Sequence, residues 1–333
     1  MENQRIVLVQ RPNGLPSARH FRAEQAAVNA VPAGGVLIKN HFLSIDPAMR
    51  GWICDLDNYL PPVAINSVMR SLAVGEVVSS DCEQYAPGDR VTGWFGWQHY
   101  AAVSAEAIIR KVLPEEGPLS LSLGVLGLNG ITASLVLRLI GKPQTGETVL
   151  VSTAAGGVGS IVGQLAKQAG CRVVGLTGAD DKVERCVSEF GYDVAINYKS
   201  ATDLQQAIKT LCPDGVDVYL DSVGGPMADA AVACMNINGR IIQCGTASIA
   251  SWDPIPEAPR RERYILTKRL LQQGFVVFDH MSLWPEVIAQ LAAMVKSGEL
   301  TVQEDRRSGL AAAPVALEDL YSGRNNGKTL IVL

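Results

Sequence analysis

Between Thr148 and Gly170 the chain reads TVLVSTAAGGVGSIVGQLAKQAG, and its small residues are spaced to receive an anion. Ala154, Gly156 and Gly159 form an A-x-G-x-x-G turn, with alanine at the first position of the dinucleotide fingerprint. Gly156 and Gly157 put no Cβ between the backbone and a pyrophosphate. A helix starting at Val158 would aim its free N–H groups and positive dipole end at the same place. Gly159 lets that helix sit close to the strand before it.

The flanking residues must supply that strand and helix. Thr148–Ser152 is a short apolar run, as expected of a strand buried on both faces. Apolar or small residues at 158, 161, 162, 165, 166 and 169 lie on one helical face, and Gly170 suits a helix C-terminus. Strand, glycine turn and helix open a dinucleotide-binding unit. A tight turn without a ligand would use the same glycines.

The second strand of such a unit selects the nucleotide. A carboxylate at its end binds the ribose hydroxyls of NAD. Here that strand ends in Leu176-Thr177-Gly178, without a carboxylate. Lys182 follows at the start of the next helix and could meet a 2′-phosphate. Tyr198, after the third strand, could pack on adenine or bond the same phosphate. Asp180 and Asp181 would repel it unless they cap the helix. The reading is NADP.

The 333 residues suggest two domains. With 47% hydrophobic and 19% charged residues the chain can bury a sizeable core. A net charge of −4 without a basic run argues against nucleic acid and against an anionic membrane surface. No apolar run reaches the roughly 18 residues of a membrane span, so a cytoplasmic protein is expected. The seven cysteines (54, 82, 171, 186, 212, 234 and 244) form no CxxC and read as buried free thiols. His20, His41, His99 and His280 are isolated, and no four-ligand set for a structural metal is visible.

Residues 1–122 carry many short strand signals (5–10, 35–44, 72–78, 90–93, 100–103 and 107–112) separated by Gly/Pro turns. Residues 121–140 read as an apolar helix interrupted near Asn129–Gly130. From 147 strands and helices alternate. Strands are expected at 148–152, 172–177, 194–197, 216–221, 240–244 and 275–278. Helices are expected at 181–190, 203–211, 227–235, 262–273 and 285–296. The tail from 298 reads as strands and turns. The fold class is therefore α/β, with a doubly wound parallel sheet over 123–297. A β domain takes 1–122 plus 298–333.

Seven segments carry a resemblance: SIDPAMR, VGSIVGQLAKQAGCRVVGL, NYKS, DVYLDSVGG, IIQCG, KRLLQQGFVV and NNGKTLIV. In that order, over nearly the whole chain, the sequence resembles the zinc-independent medium-chain dehydrogenase/reductases. More narrowly, it resembles the leukotriene hydroxydehydrogenase/prostaglandin reductase group with its alkenal double-bond reductases. The resemblance implies a GroES-like β-barrel domain beside a Rossmann sheet, a cleft active site, a homodimer joined through the cofactor domains, and NADPH.

It also carries over residue roles. Gly156, Gly157, Val158 and Gly159 match the pyrophosphate loop. Lys182 and Tyr198 match the 2′-phosphate residues. Cys244, Gly245, Thr246 and Ala247, within the stretch to Ala250, match a loop beside the nicotinamide. Phe275, Val276 and Val277 match a strand lining it, and Asn325 matches a tail contact. Ser222 stands where relatives have Asn. Ala48, Ser134 and Ala250 stand where relatives often have tyrosine. Tyr59 remains in the YxPPV stretch, and Trp52 and Trp252 are further candidates for the pocket. Where zinc-dependent cousins carry a Gly-His-Glu, this chain reads Val74-Gly75-Glu76, so no metal is expected.

The implied reaction is reduction of the carbon–carbon double bond of an α,β-unsaturated aldehyde or ketone. A hydrogen bond to the developing enolate lowers its barrier. The α-carbon then takes a proton from water, a tyrosine or the cofactor ribose, and Tyr59 is the candidate donor. Asp46 and Arg50 are read as a structural pair, and Trp94 and Trp97 as core or substrate wall. A quinone oxidoreductase and a non-catalytic NADPH-binding protein are the alternatives.

Overall fold

The computed structural model describes residues 1–56, 58–248 and 256–333, so Ala250 and Trp252 lie outside the described residues. The chain divides into two units, 1–127 with 304–333, and 128–303. The divisions fall a few residues after the 122/123 and 297/298 boundaries read from sequence. The helical turn Leu119–Leu123 packs on strands Gly35–Ser44 and Ala73–Ser80 and so stays with the first unit. Thr301 is held by Gln164 through two hydrogen bonds of 2.7 and 2.9 Å and stays with the second.

The second unit is a six-stranded parallel sheet. Numbered along the chain, its strands are Thr148–Ser152, Arg172–Thr177, Val194–Asn197, Val216–Asp221, Met235–Gln243 and Leu271–Gly274. They lie in the order third, second, first, fourth, fifth, sixth. This is the Rossmann order, reversing direction between the first and fourth strands. All five residues of the first strand are buried, as its central place requires.

Three readings in and just before this unit are corrected. The helix expected over 262–273 ends at Lys268, because Arg269 turns left-handed (φ 51°) and Lys268 Nζ binds the Ala233 and Met235 carbonyls at 2.8 and 2.7 Å. The sixth strand is Leu271–Gly274 rather than 275–278. It is the exposed edge of the sheet, so its polar LQQG gives no strand signal. The break in 121–140 falls at Gly124–Gly127 instead of Asn129–Gly130. A Cβ on Gly127 would stand 2.4 Å from the Ser122 carbonyl oxygen. Helix Leu128–Val136 begins only after it.

The first unit is the GroES-like domain. Its main sheet runs Glu304–Ser308, Lys328–Val332, Gly35–Ser44, Ala73–Ser80, Arg90–Gly93, Ile108–Lys111, with Tyr100–Ser104 also on Gly35–Ser44. Apart from the parallel pair of 304–308 and 328–332, its pairings are antiparallel. Strand Glu2–Leu8 pairs with Phe21–Ala27, which sequence patterning missed because FRAEQAA has no β-branched residue. The tail also holds helix Ala313–Ser322, opened by Pro314 and closed by Gly323 at φ 75°. Trp97 is fully buried, 5.1 Å from the Phe21 ring, and belongs to the core.

Among the described residues no helix is long and apolar enough to cross a membrane. The seven cysteines are unpaired, and four of them are buried.

Candidate active site

The phosphate loop leaves the first strand through Thr153, whose φ of +48° is rare for a β-branched residue. The turn closes when Gly156 N–H donates to the Thr153 carbonyl at 2.8 Å. Helix Gly159–Gln168 then starts against the same carbonyl. A Cβ on Gly159 would lie 2.4 Å from that oxygen, so glycine is what lets the helix sit there. No side chain caps this helix at Val158; Ser160 and Ile161 N–H donate to the Gly156 and Val158 carbonyls at 3.0 and 3.1 Å, and the positive dipole end at Gly157–Gly159 suits an anion. Gly157 faces the Asn129 amide, whose nitrogen would be 3.0 Å from an added Cβ.

Tyr192 supports the loop from inside, a role not visible in the sequence. The residue is 2% exposed, and its hydroxyl donates to the Gly159 carbonyl at 2.7 Å. Its ring occupies the space that a side chain on Gly163 would need, within 2.1 Å of the added Cβ. Burial pushes the phenol well above its ordinary pKa, so it stays a donor.

Beyond the second and third strands, Tyr198 and Lys199 converge on Gly178. An added Cβ there would stand 3.3 Å from Tyr198 Oη and 3.2 Å from Lys199 Cε. Lys182 lies half-buried in the first turn of helix Asp180–Ser188. Neither Asp180 nor Asp181 caps that helix, whose cap residue is Ala179. Instead Asn197 Nδ2 donates to Asp180 Oδ1 at 2.8 Å. The Asp180 carboxylate is thus engaged by a neutral amide.

At the switch point, Ser152 Oγ donates to the Leu220 carbonyl and accepts from Ser222 N–H, both at 2.8 Å. Asp221, fully buried, ties two loops together. Its Oδ1 accepts the N–H groups of Val223 and Gly224 at 2.9 and 2.7 Å. Its carbonyl accepts those of Cys244 and Gly245 at 2.7 and 3.2 Å. Ala247 N–H donates to the Ser222 carbonyl at 3.2 Å, and Thr246 between them is exposed. Burial raises the Cys244 thiol to about 12, so it is no thiolate nucleophile. Phe275 extends the sixth strand's ladder through its N–H to the Gln243 carbonyl (3.1 Å) and stacks on His280. Val276 follows it, and Val277 already opens a 3-10 turn rather than a strand.

The predicted residues of this unit therefore gather at the carboxyl ends of the parallel strands, where an open α/β sheet binds its ligand. Asn325 belongs to the first unit, in the loop before strand Lys328–Val332, where it donates to the Gly327 carbonyl at 3.0 Å.

The first unit holds Tyr59, 48% exposed. Buried Trp52 donates its indole N–H to Tyr59 Oη at 3.2 Å and meets Trp94 edge-on at 5.5 Å. Among the described residues that indole is the hydroxyl's one hydrogen-bond partner, so the phenolic O–H is left to donate elsewhere. Loss of water around the group raises its pKa, against the lowering by the Trp52 bond. Asp46 pairs with Lys328 rather than with Arg50. Buried Lys328 Nζ donates to Asp46 at 2.5 Å, Ser44 Oγ at 2.6 Å and the Ile45 carbonyl at 3.1 Å. Such a pair is tolerated in a core when its remaining donors are also satisfied.

A doubly wound sheet with an uncapped glycine turn at its switch point, carried with a GroES-like unit, defines a dinucleotide-dependent oxidoreductase fold. Two family profiles match the chain: N-terminal domain of oxidoreductase over residues 4–112, and zinc-binding dehydrogenase over residues 157–293. YfmJ of Bacillus subtilis is 42% identical over 332 residues, 98% of this chain and 97% of its own. The 2-alkenal reductase (NADP(+)-dependent) of Nicotiana tabacum is 36% identical over 337 residues, 100% of this chain and 98% of its own. CurA of Vibrio vulnificus, solved in complex with NADPH, matches with a TM-score of 0.93 at 35% identity, covering 99% of this chain and 98% of its own. The chain belongs to the medium-chain dehydrogenase/reductase family, in its group of alkenal and prostaglandin reductases. Among the described residues no three His, Cys, Asp or Glu side chains gather as metal ligands.

Proposed function

We propose that this protein reduces the carbon–carbon double bond of α,β-unsaturated aldehydes and ketones with NADPH, without a metal. The chain is an NADP-dependent oxidoreductase. The observation that carries the substrate reading is the Tyr59 hydroxyl, which accepts from Trp52 and keeps its own proton to give.

The residues present fit the cofactor. Gly156–Gly159 and the helix they open take the pyrophosphate. Gly178 leaves room for the adenosine ribose, and Lys182 and Tyr198 take its 2′-phosphate. Ser222, the 244–247 loop and Phe275–Val277 border the nicotinamide, and Asn325 contributes from the tail. When bound, NADPH supplies the hydride.

Hydride reaches the β-carbon of the enone, and the displaced electron pair builds negative charge on the carbonyl oxygen. Tyr59 donates its O–H to that oxygen, the position where a preorganised donor lowers the barrier most. The α-carbon then takes a proton from water, giving the saturated carbonyl and leaving the Tyr59 phenol protonated. The protein works in the cytoplasm, where reducing conditions suit its unpaired cysteines. It does so as a homodimer joined through the exposed edge strand Leu271–Gly274 of the cofactor unit, where Leu266 and Ile237 are exposed as well.

The test is NADPH consumption against a panel of enals, enones and quinones, with NADH in parallel and Tyr59→Phe beside the wild type. The expected result is enal and enone turnover with NADPH, reduced in the variant. Turnover of quinones alone, or full activity in Tyr59→Phe, would overturn the respective parts of the reading.

A further inference from the structure

Tyr321 stands near the end of helix Ala313–Ser322, yet its hydroxyl reaches the Ser44–Trp52 stretch, more than 270 residues earlier in the chain. Its Oη donates to the Pro47 carbonyl at 2.5 Å. The same carbonyl accepts Arg50 N–H at 3.1 Å, a hydrogen bond of the turn leading into helix Met49–Trp52, after that of Met49 N–H to the Asp46 carbonyl at 3.0 Å. That helix ends in Trp52, the residue that donates to Tyr59 Oη at 3.2 Å. Four residues is a marginal helix, and such a piece needs outside contacts to hold one geometry. The Trp52 indole has Trp94 against one edge, and Val63 N–H donates to the Trp52 carbonyl at 2.7 Å. The start of the helix has Tyr321.

The Tyr321 phenol is also close enough to Arg50 and Tyr59 to feel both electrostatically. Burial pushes it well above its ordinary pKa, so it remains a donor at working pH. Ala48, between Pro47 and Met49, gives this turn no aromatic side chain of its own. Tyr321 brings one from the C-terminal helix, and both residues pack on the same core.

We propose that Tyr321 is a positioning residue for Tyr59. Its hydroxyl clamps the Pro47 carbonyl, fixes the Met49–Trp52 helix, and thereby holds the Trp52 indole on the Tyr59 hydroxyl. The inference rests on Tyr59 being the hydrogen-bond donor to substrate.

The experiment is a double-mutant cycle on enone reduction with Tyr321→Phe, Tyr59→Phe and the pair, together with NADPH affinity by fluorescence titration. Tyr321→Phe keeps the ring and removes one hydrogen bond. It should lower kcat by roughly three- to tenfold and leave NADPH affinity unchanged. In the Tyr59→Phe background the same change should have little further effect, because residues acting as one unit are not additive. Wild-type kcat in Tyr321→Phe would overturn the inference. So would an equal loss in both backgrounds, which marks a general structural role. Wild-type kcat in Tyr59→Phe would overturn the Tyr59 reading itself and the inference built on it.

Discussion

Asn197 donates its side-chain amide to Asp180 Oδ1 at 2.8 Å, tying the end of the third strand to the first turn of the helix after the second. Asp180 opens the helix after the second strand, two residues after Gly178 and two before Lys182 in the same first turn. An unengaged carboxylate there would repel a 2′-phosphate and would suit a ribose hydroxyl instead.

Asn197→Ala should therefore shift cofactor choice. With Asp180 released, the KM for NADPH should rise about tenfold, the size of a hydrogen bond to a charged group. The KM for NADH should stay the same or fall. Steady-state kinetics with both cofactors checks this, and an equal change in both would show that Asn197 acts on the fold rather than on the phosphate site.

Gly159→Ala tests the loop's geometry. The added carbon would meet the Thr153 carbonyl oxygen at 2.4 Å and Ala154 Cα at 3.0 Å, both backbone atoms that cannot swing away. Overpacking of this kind costs about 1–3 kcal/mol. NADPH affinity should fall at least about tenfold as the helix N-terminus is displaced. Fluorescence titration and thermal unfolding measured together check both effects.

Acid stability has a named contributor in the nucleotide unit. Arg240 holds Glu147 through two bonds of 2.5 and 2.9 Å, and this pairing lowers the glutamate's pKa below its ordinary 4.5. Because the folded value is the lower one, the stability it contributes is present above 4.5. It is lost as pH falls through the folded value. Glu147→Gln should cost about 1 kcal/mol at neutral pH, with the gap to wild type closing in acid. Urea denaturation at neutral pH and below 4.5 measures the gap, which should not persist in acid.

The local parts of this molecule were legible in its sequence. Strand, glycine turn and helix over 148–170 follow from residue type and period alone, and the first five strands of the sheet follow from the same alternation. The failures are of another kind. Leu271–Gly274 is a strand at a sheet edge, where solvent removes the apolar signal. Tyr192, Asp221 and Asn197 matter through contacts that exist only once strands from distant parts of the chain are neighbours. The Asp46–Lys328 pair spans 282 residues, whereas Arg50 stands four positions from Asp46 along the chain. Sequence spacing orders neighbours along the chain, whereas a buried charge pairs with whichever opposite charge the sheet register delivers.

The most direct measurement of the proposed chemistry follows the hydride itself. The protein is given NADPH deuterated at the transferred position and a simple 2-alkenal or enone, and the product is read by NMR and mass spectrometry. The expected product is the saturated carbonyl compound with one deuterium on its β-carbon. An unsaturated alcohol with deuterium on the carbonyl carbon, or no reduced product at all, would contradict the proposed reaction.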